Sequence, residues 1–248
     1  MCTTFADHGG RGMNWLGANN KAHEHKRVRV FLDHWEFSEA WKEITGNNLA
    51  LERDFESVLW DKLPQALLDH LDEMDYLAGA PKEMRAVDVY ASLPCTNTEK
   101  EQKLRRWLND TLDQVPGYTV HVGNRKPDPR NCKGCGKPIN IEVEKGIKTK
   151  VACDLLSLAM KDAYDVGILV MDDPELIPSI QCVQEILDKQ VIHVGMERPE
   201  LPLARQHGSQ VRSAAWGHIL LESLVPSIHR GFGLEAMHAS SARGKVTT

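Results

Sequence analysis

The sequence predicts an α/β fold built on a mainly parallel sheet with helices on both faces. Two observations carry this expectation. Short apolar runs alternate with helix-like segments along most of the chain, the order that gives right-handed β–α–β crossovers. One run, Val166–Val170, is continuously apolar, as a strand covered on both faces must be.

The segments follow in order. Residues 1–26 are rich in Gly, Asn, His and Lys without a period and read as a flexible tail; Arg27–Leu32 then forms a strand that stops at Asp33. Ser38–Thr45 and Phe55–Asp75 read as helices, the second with Leu59, Leu63, Leu67 and Leu68 on one face and Pro64 in an early turn or kink. Ala86–Ala91 is the next strand, and Lys100–Leu112 a helix with Leu104, Trp107, Leu108 and Leu112 on one side. After Pro116-Gly117, Tyr118–Val122 alternates as a strand. Residues 123–148 break the rhythm and read as an insertion with its own role. A helix over Thr149–Ala163, the Val166–Val170 strand, a helix over Leu176–Lys189, a strand at Val191–Val194, a helix over Leu203–Ala215 and a weak strand at Ile219–Leu221 complete a domain spanning 27–225. Residues 226–248 read as a second flexible tail.

Composition narrows the class. The 248 residues are 42% hydrophobic and 26% charged, enough to bury a core. No apolar run approaches the roughly 18 residues of a membrane span, so no membrane partner is expected. Met1–Gly10 lacks the pattern of a secretory signal, and the six cysteines are irregularly spaced, so a reduced cytoplasmic protein is expected. A net charge of −5 argues against a protein that coats nucleic acid without specificity, but does not exclude an enzyme acting on nucleic acid, which needs only a local basic rim around its carboxylates. Oligomeric state is not readable.

Parallel sheets bind ligands beyond the carboxyl ends of their strands. Asp33 follows the first strand directly, Asp172 and Asp173 follow the most apolar one, and Asp154 lies on the helix before it. Strand-end aspartates also cap helices and start turns. Three acids converging in one cleft instead suggest a divalent ion, Mg²⁺ or Mn²⁺, which supplies a nucleophilic water and a charge sink for phosphodiester hydrolysis.

The same residues carry a family resemblance. Arg27–Phe37 resembles the opening strand of NYN-domain, LabA-like proteins of the PIN-like superfamily, one bacterial branch of which carries an Asp-aromatic-Trp-Asn-Phe signature here. Glu144-Lys145-Gly146-Ile147 through Asp154 is similar to that family's Glu-Lys-Gly-Val-Asp segment and the helix behind it. Ala163–Val170 runs into the place of its Ser-Gly/Ser-Asp-x-Asp-Phe motif, and Arg106–Asp113 is also similar; the likeness covers roughly 27–215. It implies a PIN-like fold and a metal-dependent endoribonuclease, with Asp33, Asp154 and Asp173 as ligands of Mg²⁺ or Mn²⁺. Asp172 or Glu175 would be an auxiliary acid that orients water.

The chain departs from this pattern at Glu36, where the family has Asn, at Lys148, where it has Asp, and at Asp172 and Glu175 in the strand-end motif. Two arrangements accommodate these changes. Glu36 and Lys148 pair beside a surviving carboxylate site, or Lys148 occupies the cation position itself. The acids Asp172 and Glu175 favour the first. The functional alternatives are therefore an RNA-cleaving enzyme or a catalytically silent module that binds RNA or a protein; a phosphatase or DNA nuclease is a weaker third.

Within the insertion, Cys132 and Cys135 have the Cys-x2-Cys-Gly form of a zinc knuckle, two ligands short of a structural Zn²⁺ site unless His121 or another chain contributes. Cys153 and Cys182 are expected in the core. Arg125, Lys126, Arg130 and Lys148 belong to the basic region that would steer RNA phosphate, and Trp35 could stack a base. His34 is a conceivable proton donor.

Overall fold

A computed structural model describes residues 25–47, 57–75, 77–94, 98–132, 134–196 and 208–231. Most of both expected tails, and the start of the expected helix at Phe55, lie outside these residues. The elements are β1 (Lys26–Asp33), α1 (His34–Thr45), α2 (Leu63–Asp72), β2 (Lys82–Leu93), α3 (Glu99–Asp110), β3 (Tyr118–Asn124), β4 (Lys126–Asn131), β5 (Pro138–Val143), α4 (Ile147–Met160), β6 (Val166–Val170), α5 (Ile177–Glu185), β7 (Gln190–Gly195), α6 (Gly208–Ala214), β8 (Gly217–Leu220) and α7 (Leu221–Ile228).

Six strands form one sheet in the order β3-β2-β1-β6-β7-β8, and every pairing in it is parallel. This is the expected α/β architecture, Rossmann-like in its layering. The chain lays down β1, β2 and β3 on one side, then crosses to place β6 on the other side of β1. The order therefore reverses between β1 and β6, where Leu32 pairs with Val170, and the crevice beyond such a reversal is where parallel sheets hold ligands. Asp33 and the Asp172-Asp173 pair end these two strands.

Alternation along the strands sends side chains to two cores. Val28, Val30 and Leu32 of β1, with Val166, Ile168 and Val170 of β6, pack beneath α1, α2, α3 and α7. Phe31, Tyr90, Leu169 and Val191 meet α4, α5 and α6 on the other face. Gly167 lets that second core close, since a Cβ there would lie 3.1 Å from the Tyr164 ring. Among the described residues no helix is long and apolar enough to cross a membrane.

Several boundaries differ from expectation for local reasons. Asp33 caps α1, which therefore starts at His34 rather than Ser38. Pro64 sits in the first turn of α2, where its missing N–H costs nothing. Residues 125–146 contribute a separate antiparallel hairpin, β4–β5, so the insertion is folded on its own backbone bonds. α7 crosses the expected domain end at 225, and Ile228 is fully buried. Cys153 is exposed and Cys182 half-buried, a correction to their expected core positions: Cys153 points away from the Val151–Leu155 stripe that packs on the sheet.

At the amino ends of the strands, the buried Arg27 ties β1 to the loop before β6. Its Nε and Nη2 donate to Asp165 at 3.0 and 2.8 Å, and Nη2 also reaches Asp162 at 2.7 Å. Burial would raise the Asp165 pKa, but these bonds outweigh it and hold the carboxyl well below its usual range. A depressed carboxyl stabilises above its unfolded value and loses that contribution as pH falls through the folded one. Asp165→Asn should cost about 2 kcal/mol at neutral pH. Urea unfolding should show the gap to wild type closing as pH drops below 3.8, the ordinary value; a gap that persists in acid would mean packing, not charge, is lost.

Candidate functional site

The carboxyl-end crevice is assembled from three separated segments. Asp33 leaves β1 in extended conformation, and its Oδ1 accepts from the backbone N–H of Trp35 at 2.8 Å and Glu36 at 3.0 Å. That cap fixes the first turn of α1 and aims Glu36 across the crevice. Asp173 does the same beyond β6, accepting from the Glu175 N–H at 2.9 Å to start the short 3-10 turn Pro174–Leu176. Both acids are thus local caps as well as rim residues.

The third segment brings the cation. Gly146 adopts a left-handed φ of 95°, which favours glycine, and the Glu144 carboxylate accepts from the Ile147 N–H at 2.6 Å. α4 consequently begins with Lys148 in its first turn. The Lys148 ammonium donates to Glu36 Oε1 at 2.7 Å and is also paired with Asp173 Oδ2. The other Glu36 oxygen accepts from the Asp172 N–H at 2.7 Å. Burial alone would lower the lysine pKa; its bonds to Asp173 and Glu36 outweigh that and hold it above the ordinary lysine range. The two arrangements open from sequence are both partly realised: Glu36 and Lys148 do pair, and the same ammonium lies between Glu36 and Asp173.

Other expected site residues are held elsewhere. Asp154 accepts from the Tyr90 hydroxyl at 2.9 Å and from Lys150 at 2.5 Å. Six residues from Lys148, it stands about 9 Å further along the helix axis. Asp172 turns towards β7, where His193 Nε2 is 2.8 Å away, and it packs so closely on Gly208 that a Cβ there would come within 2.7 Å. Glu175 is exposed on the 3-10 turn. Among the described residues, no group of three or more His, Cys, Asp or Glu side chains is arranged around a common point that could hold a metal ion. As arranged, the donor set does not fit Mg²⁺ or Mn²⁺, because an ammonium lies between the two best-placed carboxylates.

Trp35, 46% exposed, carries the Arg125 guanidinium 4.0 Å above its ring centroid. Lys126 is exposed at the start of the hairpin, whereas Arg130 folds back on Asp128 at 2.7 Å. His121 does not approach the cysteine pair; it stacks on Tyr90 at 4.8 Å and bonds Asp88 at 3.2 Å. The His34 ring is buried beside Trp60 and Trp107, and burial pushes its pKa down to about 4, so it is neutral and packed into the core. That corrects its reading as a proton donor. Sequence reasoning missed Tyr90, His193 and the buried Arg29–Asp88 pair, joined at 2.6 Å. Asp88 inside an apolar strand was the available signal.

The chain matches no protein-family model and no curated protein. Among solved structures it is similar to a Vibrio parahaemolyticus protein of unknown function. The TM-score is 0.47 at 15% identity, over 81% of this chain and 96% of the other.

Asp33 is the electrostatically costly member of the crevice. Burial first, and the Glu36 charge second, push its pKa up to about 6 from 3.8, despite the two backbone bonds and Lys148. A carboxyl raised in the folded state binds its proton there first, so stability falls as pH climbs from 3.8 to about 6. The shift corresponds to about 3 kcal/mol. Asparagine caps helices as well as aspartate does, so Asp33→Asn should be more stable than wild type at pH 7 by about 2 kcal/mol. Denaturant melts across that window should show wild type losing this difference and the variant not. A variant less stable at pH 7 would mean that the Asp33 charge is compensated.

Proposed function

We propose that this chain is a PIN-like module of the NYN, LabA-like kind that binds single-stranded RNA along the strand-end edge of its sheet without cleaving it. The carrying observation is the Lys148 ammonium, bonded to Glu36 and Asp173 in the crevice between β1 and β6. A divalent ion using those carboxylates would have to displace a lysine held by two partly buried ion pairs. The motif likeness at Arg27–Phe37 and Glu144–Asp154 supports the family; the substitution at Lys148 supports binding over cleavage.

Affinity would come from the edge beside the acids. The Trp35 ring and the Arg125 plane on it are the kind of surface on which unstacked bases lie. Lys126 on β4 offers phosphate contacts that position the strand. One observation favours a second reading, a metal-dependent endoribonuclease. Asp33 is a carboxyl whose proton affinity is raised by burial and by the Glu36 charge, and a divalent ion with Lys148 swung aside would favour its ionised form. This reading requires the lysine to leave.

The test is retention and cleavage of a mixed single-stranded and structured RNA pool, with EDTA, Mg²⁺ or Mn²⁺. Wild type should retain single-stranded RNA in EDTA, remain uncleaving with either metal, and lose about tenfold in affinity in Trp35→Ala. Lys148→Asp should gain Mn²⁺ binding that wild type lacks. Cutting by wild type that requires metal and vanishes in Asp173→Asn would establish the enzyme instead. Folded protein that neither retains nor cuts RNA would exclude both readings.

A further inference from the structure

The hairpin tip outside the crevice carries two cysteines that neither functional reading uses. The last register pair of β4–β5 is Asn131 with Pro138. Beyond it the turn is closed by the Cys132 N–H donating to the Lys137 carbonyl and the Gly136 N–H donating to the Cys132 carbonyl, each at 2.8 Å. Gly136 takes a left-handed φ of 70° there. This closure brings the two thiols within hydrogen-bonding reach of each other, and the Cys132 sulfur accepts backbone N–H bonds from Cys135 and Gly134. Both cysteines are free; Cys135 is exposed and Cys132 half-exposed.

We propose that Cys132 and Cys135 form a dithiol site that exchanges with small-molecule disulfides, Cys132 attacking and Cys135 resolving. Backbone N–H groups aimed at a sulfur favour its thiolate, the nucleophilic form, and they draw the Cys132 thiol below the ordinary range, with Cys135 N–H the first cause. Zinc would need four donors. The turn supplies two, His121 is committed to Asp88, and no group of three donors occurs among the described residues. A disulfide needs only the pair.

The exchange balances in two steps. The Cys132 thiolate attacks one sulfur of R–S–S–R; a new S–S bond forms between Cys132 Sγ and that sulfur, the S–S bond of the small disulfide breaks, and RS⁻ leaves and takes a proton from water. Cys135 gives its proton to solvent and attacks the Cys132 sulfur, forming the Cys132–Cys135 bond and expelling the second RS⁻. The two electrons pass from the dithiol to the small disulfide, which ends as two thiols.

The experiment uses the full chain, reduced and then incubated with oxidised glutathione, followed by intact-mass and peptide mapping. Wild type should lose two hydrogens at the Cys132–Cys135 peptide and keep no adduct. Cys135→Ser should trap glutathione on Cys132, and Cys132→Ser should leave Cys135 unmodified over the same time. Alkylation at Cys132 should outpace that at Cys153, an exposed cysteine on α4, by about tenfold. Equal modification of Cys132 and Cys153 would overturn the proposal. So would purified protein carrying one zinc per two chains with both tip thiols protected until a chelator is added.

Discussion

A single ammonium organises the strand-end edge. Lys148 reaches from the first turn of α4 to Glu36 on α1 and Asp173 beyond β6, joining three segments far apart in the chain. Glu36 passes the connection on to the backbone of Asp172. Without the lysine, Glu36, Asp173 and Asp33 would face one another partly desolvated, and an uncompensated buried charge costs about 3–5 kcal/mol. The placement of Lys148 depends in turn on Gly146, whose positive φ turns the chain, and on Glu144, which caps the helix start. A short run of sequence thus sets the charge balance of the whole crevice.

That crevice lies beyond the strand ends of a sheet whose two faces are built differently. Beneath α1, α2, α3 and α7 the strand centres present mainly apolar side chains, Val28, Val30 and Leu32 among them, with the buried Lys82 paired to Asp72 and the Tyr118 hydroxyl bonded to the Trp60 carbonyl at the margin. Towards α4, α5 and α6, the same strands carry the buried Arg27, Asp88 and His193 and the half-buried Arg29 among the apolar residues. The charged groups there are paired, Arg27 with Asp165 and Arg29 with Asp88, and His193 Nε2 lies 2.8 Å from Asp172. A charge of this kind costs desolvation unless its bonds are complete, so these pairs fix register and orientation more than they add stability. The apolar face supplies the cohesion, and the α4 face fixes where the strand ends project.

The division explains what the sequence could reveal. The parallel sheet was legible because Val166–Val170 is uniformly apolar and strands alternate with helices. Asp33 and Asp173 were legible as rim residues because each directly follows a strand. Helix starts were less so: Asp33 serves as both strand end and cap, and the Thr98–Glu101 capping box of α3 could have been recognised from its spacing. α7 carried a helical spacing at Leu221, Leu224, Val225 and Ile228, obscured by Pro226. The partners of Asp154 and Asp172 were not legible, because Tyr90 and His193 arrive on strands that become neighbours only in the folded sheet. Nor does sequence say which carboxylate a lysine chooses; Lys148 and Lys150, two residues apart, go to different acids.

Asp33 poses the remaining physical question. Asparagine or serine would cap α1 equally well without a buried charge, so its carboxylate is held against the stability of the fold. Costs of this kind concentrate where a side chain meets a ligand. An acidic rim beside the proposed RNA-binding edge is a conflict only if phosphate is what the rim contacts. Carboxylates accept hydrogen bonds from the amino and imino groups of exposed base edges, whereas phosphate offers them no donor. With a base on the Trp35–Arg125 surface and its phosphate on Lys126, the base edge would be the part of the nucleotide left to meet the acidic rim. The acids would then repel misplaced phosphate and reward bases that bring donors, and Lys148 would keep the remaining negative charge from accumulating. On this view the crevice selects which face of the nucleotide enters, a task that needs fixed charges and no metal.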